Sequence, residues 1–240
     1  MAAVLSMGTV VLQAALLGTL LVGIRRRNAS IAANALVALG ATFLPRFVEF
    51  ALYVSRGVAV SIDGLVPFWI SVAGVLHMAG MWGLYEHETT WWWDHVTHVV
   101  SAAFVAAVAY GGIQGIALAS PELRLSTSAV AIFALLFTLS VGVLWELVEL
   151  VVHRYSRALG VESVLIPYGR RDAAFDLAFD AVGAVLVLWF DVQIFVSVAQ
   201  AVPSLTRWFL VGAGGLVVVG SLGSLLALHV GPRASSVGPE

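Results

Sequence analysis

The chain has 240 residues, 60% of them hydrophobic and 11% charged, with a mean hydropathy of +0.98. Soluble domains run nearer 45–50% apolar and ~25% charged, so the composition excludes a soluble globular protein and marks an integral membrane protein. The net charge of -2 leaves no electrostatic footprint for nucleic acid.

Two absences narrow the chemistry. With no cysteine there are no disulfides, thiolate metal ligands or cysteine nucleophiles. Every basic residue is an arginine, and without lysine there is no retinal Schiff base, whatever the number of spans. Lysine-free usage rich in Ala, Val and Gly is that of a GC-rich genome, such as a halophilic archaeon's.

A span needs ~20 apolar residues to cross ~30 Å of hydrocarbon. Seven stretches qualify, at about 4–24, 31–54, 65–85, 92–118, 127–152, 173–198 and 206–229. The expected fold is all-α, a single polytopic transmembrane helix bundle over 1–230 followed by a disordered tail at 231–240. The first span has no positive charge ahead of it and Arg25, Arg26 and Arg27 behind it, the reverse of a secretory signal. Counting alternate connections, Arg25, Arg26, Arg27, Arg154, Arg157, Arg170, Arg171 and Arg233 fall on one side, and Arg56, Arg124 and Arg207 on the other. That bias puts the N-terminus outside, and the C-terminus and the connection 153–171 in the cytoplasm. The sequon Asn28-Ala29-Ser30 then lies in a cytoplasmic turn and reads as chance.

Charged side chains in a span cost ~2.5–3.5 kcal/mol each at the helix centre, so they mark surface turned to a protein interior or a watery cavity. In span two, "LPRFVEF" (44–50) sets Arg46 three residues before Glu49, where the two can neutralise one another, and Pro45 can kink the helix. Arg46 also reads as a buried cation able to contact an anionic substrate. The stretch 46–56 is echoed at 144–157, three spans later and in the opposite direction, as in an inverted repeat. Span three carries a single mid-span histidine, His77.

Span four opens with "WWWDHVTHVV" (91–100), in which Asp94 and His98 are i,i+4 neighbours and His95 and His98 are i,i+3 neighbours. Trp91, Trp92 and Trp93 read as an interfacial belt and Asp94 as a helix cap, but His98 lies a turn deeper. In span five, Glu146, Glu149 and His153 share one helical face, with Glu146 roughly 10 Å inside the cytoplasmic end. Span six begins "GRRDAAFDLAFDAVGA": Asp172 reads as an N-cap, and Asp176 and Asp180 stand one and two turns deeper.

Spans four, five and six all meet the cytoplasm near these residues, so the carboxylates and histidines converge on one pocket. Clustered carboxylates in low dielectric either take up protons or hold a cation. On a first reading, His95, His98, Glu146, Glu149, Asp176 and Asp180 supply ligands for a divalent metal such as Mg²⁺, Mn²⁺, Zn²⁺ or iron. Asp94, His98, Glu146 and Asp176 then serve as ligands or acid/base groups in an enzyme acting on a lipid-like substrate drawn from the surrounding membrane lipids. A second reading is a proton- or cation-coupled transporter, and a third a non-catalytic structural membrane protein whose polar network locks the helices. Familiar motifs do not decide among them. Asp172 and Asp176 match half of the CDP-alcohol phosphotransferase signature, but Tyr168 stands where its glycine should be and the first half is absent. There is no HExxH, no GxSG and no ferritin-like Glu-x-x-His.

The order "LHMAGMWGLYEHETTWWWDHVTHVVSA", "LWELVEL", "RDAAFDLAFDAVGA" resembles the YjdF-type family of small polytopic membrane proteins and, more distantly, the VanZ-like family. The resemblance covers about 75–190 and carries Asp94, His98, Glu146, Glu149, Asp176 and Gly183-Ala184. It implies the pocket without naming a reaction; the association of VanZ-like proteins with glycopeptide resistance implies an envelope-lipid setting.

Overall fold

A computed structural model describes residues 1–85, 90–120, 122–161, 163–165, 167 and 169–231, and all its regular elements among these are helical. The chain order is α1 (Ala2–Arg25), α2 (Ala29–Arg56), α3 (Leu65–Ala79) running into a π-helical turn (Gly80–Leu84), α4 (Trp93–Ala119), α5 (Thr127–Leu159), α6 (Arg170–Trp189), a short α7 (Val196–Ala201) and α8 (Pro203–Val230). Apart from Gly231, the tail expected to be disordered lies outside the described residues.

Local chemistry sets the helix ends. The Asn28 side chain accepts the Ile31 N–H at 2.8 Å, so the sequon asparagine is the N-cap of α2. Ser126 caps α5 in the same way through the Ala129 N–H at 3.2 Å. Gly57 and Gly160, at φ 65° and 66°, close α2 and α5 in the left-handed conformation that glycine adopts without strain. Asp172 is not the cap of α6. That position falls to Gly169, and Asp172 is the third helical residue, where its charge still complements the helix dipole.

Among the described residues six helices are long and apolar enough to cross a membrane, so this is a multi-pass membrane protein. The exception is α6, whose 20 residues include Arg170, Arg171, Asp172, Asp176 and Asp180. It ends at Trp189 rather than near residue 198, because the chain turns at Asp191 (φ 50°) and forms α7 against α4. The helix is nonetheless enclosed, packing along α4 and α5. Trp189 and Trp208 are exposed at the end opposite Trp82, Trp91 and Trp92, giving an aromatic belt at each interface.

The axis of the bundle is α4, with 61% of its most apolar stretch buried against 11–28% for the other spanning helices. Small residues make that possible. Ala103, Ala106, Ala107, Ala109 and Tyr110 pack with Ala184 and Val187 of α6 and with Val130 and Ala134 of α5. A Cβ at Gly183 would collide with the Val99 carbonyl oxygen and stand 2.9 Å from the Ala103 nitrogen. A second cluster of Leu16, Ala35 and Met78 joins α1, α2 and α3, and this trio meets the rest of the bundle mainly where α3 and its π turn touch α4.

Gly183→Leu should therefore destabilise the protein by ~1–3 kcal/mol, as overpacked cores generally do. Gly212→Leu, where nothing lies within 4 Å, should leave stability unchanged. Thermal unfolding in detergent measures both, and equal melting temperatures for the two variants would contradict the proposed α4–α6 contact.

Candidate functional site

The ends of the helices that carry polar chemistry come together: the C-terminal ends of α1, α3 and α5 and the N-terminal ends of α2, α4 and α6. Between them lies a cavity of about 380 Å³ lined by residues that include Arg26, His77, Tyr85, Asp94, His98, Glu149, Asp172 and Asp176. Arg25, Arg26, Arg27, Arg154, Arg157, Arg170 and Arg171 cluster at this end, while Arg56, Arg124 and Arg207 sit at the other.

At its centre are Asp94, His98 and Asp176, each presenting one ligand atom within 4.8 Å of the others. The His98 ring is held by Asp180, whose Oδ1 accepts from Nδ1 at 3.0 Å. In the neutral ring, donation from Nδ1 leaves Nε2 as the lone-pair nitrogen, 3.9 Å from Asp176 Oδ1. Asp180 itself fits because α5 has Gly142 opposite it, where a Cβ would occupy the space of the carboxylate. His95 stacks on Phe179, with ring centroids 4.4 Å apart and planes 9° from parallel, and its Nδ1 faces Asp176 Oδ1 at 3.4 Å. Among the described residues neither of those two buried atoms has a hydrogen-bond partner. Buried polar atoms are nearly always paired, and a carboxylate oxygen and an imidazole nitrogen left facing each other are a donor set that a cation would complete. Mixed carboxylate and imidazole donors suit Zn²⁺, Mn²⁺ or iron.

The expected residues are thus only partly gathered. Asp94, His98 and Asp176 form the inner group, with His95 and Asp180 in contact with it. Glu149 lines the same cavity one turn along α5 from Glu146, which is not among the lining residues. The buried Nδ1 of His153 has no hydrogen-bond partner among the described residues. Arg46 stands apart. Its side chain is 61% exposed and pairs at 2.7 Å with Glu49, whose other oxygen accepts the Ile62 N–H at 2.6 Å near the far end of α2. Arg46 is therefore not the expected buried cation. Of the echoed stretches 46–56 on α2 and 144–157 on α5, only the latter reaches the cavity.

The cation that lines the cavity is Arg26, its guanidinium 5.5 Å from the centre of the Trp82 ring. Sequence reasoning used Arg26 only to orient the chain. It also missed Asn34 and Tyr85, which turn His77 into part of a network. Asn34 donates from Nδ2 to the carbonyls of Ser30 (3.0 Å) and Val164 (3.1 Å), so its Oδ1 faces His77 Nε2 at 3.2 Å as an acceptor. His77 Nδ1 then accepts from the Tyr85 hydroxyl at 3.2 Å. Tyr85 reaches this place because the π-helical turn ends beside it, Gly83 adopts φ 114°, and Gly80 leaves room for its ring. A polar Asn34 within an apolar helix was the one available signal. Trp93, read as part of the belt, instead donates its indole N–H to the Leu76 carbonyl at 3.0 Å and ties α4 to α3.

Residues 7–196 match the family model described as "Predicted membrane protein (DUF2238)", and the chain belongs to that family. The match agrees with the expected kinship to small polytopic membrane proteins and lends nothing to the VanZ-like resemblance. No curated protein and no solved structure matches the chain.

Asn34→Leu leaves the His77 Nε2 proton without its acceptor and should cost ~1–3 kcal/mol, the penalty of a buried unsatisfied group. Adding His77→Leu should recover part of the loss. Chemical denaturation of the two single variants and the double variant measures the coupling, and strict additivity would contradict the Asn34–His77 bond.

Proposed function

We propose that this membrane protein is a metal-assisted enzyme acting on a lipid-like substrate, with a divalent ion held by Asp94, His98 and Asp176. The observation that carries the reading is the pairing of a three-ligand group with a supporting contact: His98 offers Nε2 to the cavity while its Nδ1–H is bound by Asp180. Metal-binding histidines almost always have such a partner, which fixes the tautomer and aims the ring. Asp176 Oδ1 and His95 Nδ1, which face each other at 3.4 Å and lack a hydrogen bond among the described residues, add support, since a cation would serve both.

The chemistry available at such an ion is polarisation of a substrate oxygen or activation of water. The surrounding residues divide the remaining work. Glu149, in the cavity wall, carries a proton to or from the reacting group. Arg26 takes the role first expected of Arg46, contacting an anionic head group. The arginine excess at this end supports a cytoplasmic opening. Enzyme rather than transporter is favoured by what lies beyond the cavity: towards the other interface α4 is filled in by Ala106, Ala107, Ala109 and Tyr110, packed against α5 and α6.

Metal analysis of the detergent-purified protein tests the proposal. The wild type should hold one divalent ion per chain, and Asp176→Asn and His98→Ala should lose it. Asp180→Asn should weaken Mn²⁺ or Zn²⁺ binding by roughly 10–100-fold, the usual cost of removing a ligand's supporting partner. Arg46→Gln should bind as the wild type does. Absence of stoichiometric metal in the wild type would sink the proposal, and unstable but metal-free variants would favour a structural network.

A further inference from the structure

A second cavity, of about 350 Å³, lies deeper in the bundle than the first and shares His77, His98 and Trp145 with it. The rest of its wall is mostly apolar in area, from Val37 and Ala38 of α2, Ala102 and Val105 of α4 and Val141 of α5, with the polar Asn34, Thr97, Ser101, Thr138 and Asp180 set among them. Val37 and Val105 stand roughly 12 and 18 Å along their helices from the site end, at the level of hydrocarbon rather than of head groups. The two walls belong to different parts of the bundle. α2 packs on α1 and α3, whereas α5 packs on α4, α6 and α8. The gap between them leaves Val37 and Trp145, 72% and 41% exposed, at its edge, and it exposes Ser101 on the otherwise buried α4. The surface the chamber presents is mostly apolar, and its side opening faces lipid.

We propose that this chamber seats the hydrocarbon chain of an amphiphile that comes in sideways between α2 and α5, its oxygen-bearing head group lying in the acidic cavity beside Asp94, His98 and Asp176. The polarity of the two chambers, their shared lining residues and their order of depth match the two ends of such a molecule. The head-group half of this inference rests on the metal-site reading; the seat of the chain does not. Both cavities fall at the small end of the ~300–1,000 Å³ typical of small-molecule sites, which suits one chain better than two.

The test uses the full chain in vesicles of phosphatidylcholine and phosphatidylglycerol containing a fatty acid with a diazirine midway along its chain. After illumination, mass spectrometry should find label on the inner wall, at Ala102 and Val105, as well as on lipid-facing residues of α8 such as Leu216. Ala38→Trp and, from the opposite wall, Val141→Phe should each reduce inner-wall labelling to background while leaving the α8 label and the melting temperature unchanged. Label on α8 without label on α4 overturns the chain seat. So does inner-wall labelling that survives both plugs. Metal content measured on the same samples separates the two ideas: metal bound with no inner-wall label sinks the chain seat alone, and inner-wall label without metal sinks the metal site alone.

Discussion

Asp176 and Asp180 are buried carboxylates, 3% and 5% exposed, on a helix that lies among membrane spans, and the rest of the molecule is organised around keeping them from lipid. Neither can be left facing hydrocarbon. α6 is therefore drawn against α4 through Gly183 and Ala184, which meet a run of alanines, and Gly142 of α5 opens a space the size of one carboxylate. The same contacts that hide the charge also orient it. With Asp180 wedged between α4 and α5, the His98 ring has a single direction to point, towards Asp94 and Asp176. Packing of small residues and preorganisation of the site are one arrangement seen at two scales.

The first three helices contribute no carboxylate to the lining of the acidic cavity, yet they finish it. They bring Arg26, the Asn34–His77–Tyr85 network and the π-helical turn, and so supply positive charge and neutral hydrogen-bonding groups opposite an acidic wall. The contact between the two groups of helices is narrow, running along α3 and α4. Trp69 and Trp93 each donate an indole N–H across that seam, to Val100 and Leu76. A cavity assembled at the join of two such groups is bounded by rigid elements on both sides and still retains a gap where α2 and α5 face each other.

Much of this could be read from the residues alone, for identifiable reasons. Long apolar runs give spanning helices because backbone hydrogen bonds have no alternative in hydrocarbon, and the helices α1, α2, α4 and α8 fall close to the expected stretches, whereas α5 runs on to Leu159, past the expected end at 152. Carboxylates placed one and two turns inside a span had to converge on something, so the meeting of α4, α5 and α6 was legible too. Arg46 was misjudged because spacing along one helix says nothing about which face meets a neighbour; its pairing with Glu49 was foreseeable, its exposure was not. The part played by Arg26, Asn34 and Tyr85 depends on how α1–α3 dock on α4, a long-range contact without a periodic signature. The early end of α6 was hidden for a related reason: residues 190–198 are apolar enough to continue a span, and the turn at Asp191 is stabilised by the Tyr110 hydroxyl, 2.6 Å away and 81 positions distant in sequence.

The polarity of α6 also bears on how the protein is made. Five charged residues in 20 would keep this helix from partitioning out of the translocon by itself, since each aspartate near the centre adds several kcal/mol to its transfer. Its predecessors α4 and α5 leave the ribosome first and already present the alanine and glycine surfaces it needs. α6 can then be lodged against protein instead of being dissolved in lipid, so the biogenesis of the site is tied to the order of synthesis. A circular permutation that released α6 ahead of α4 would preserve every contact in the finished bundle and deny the chain its route to them.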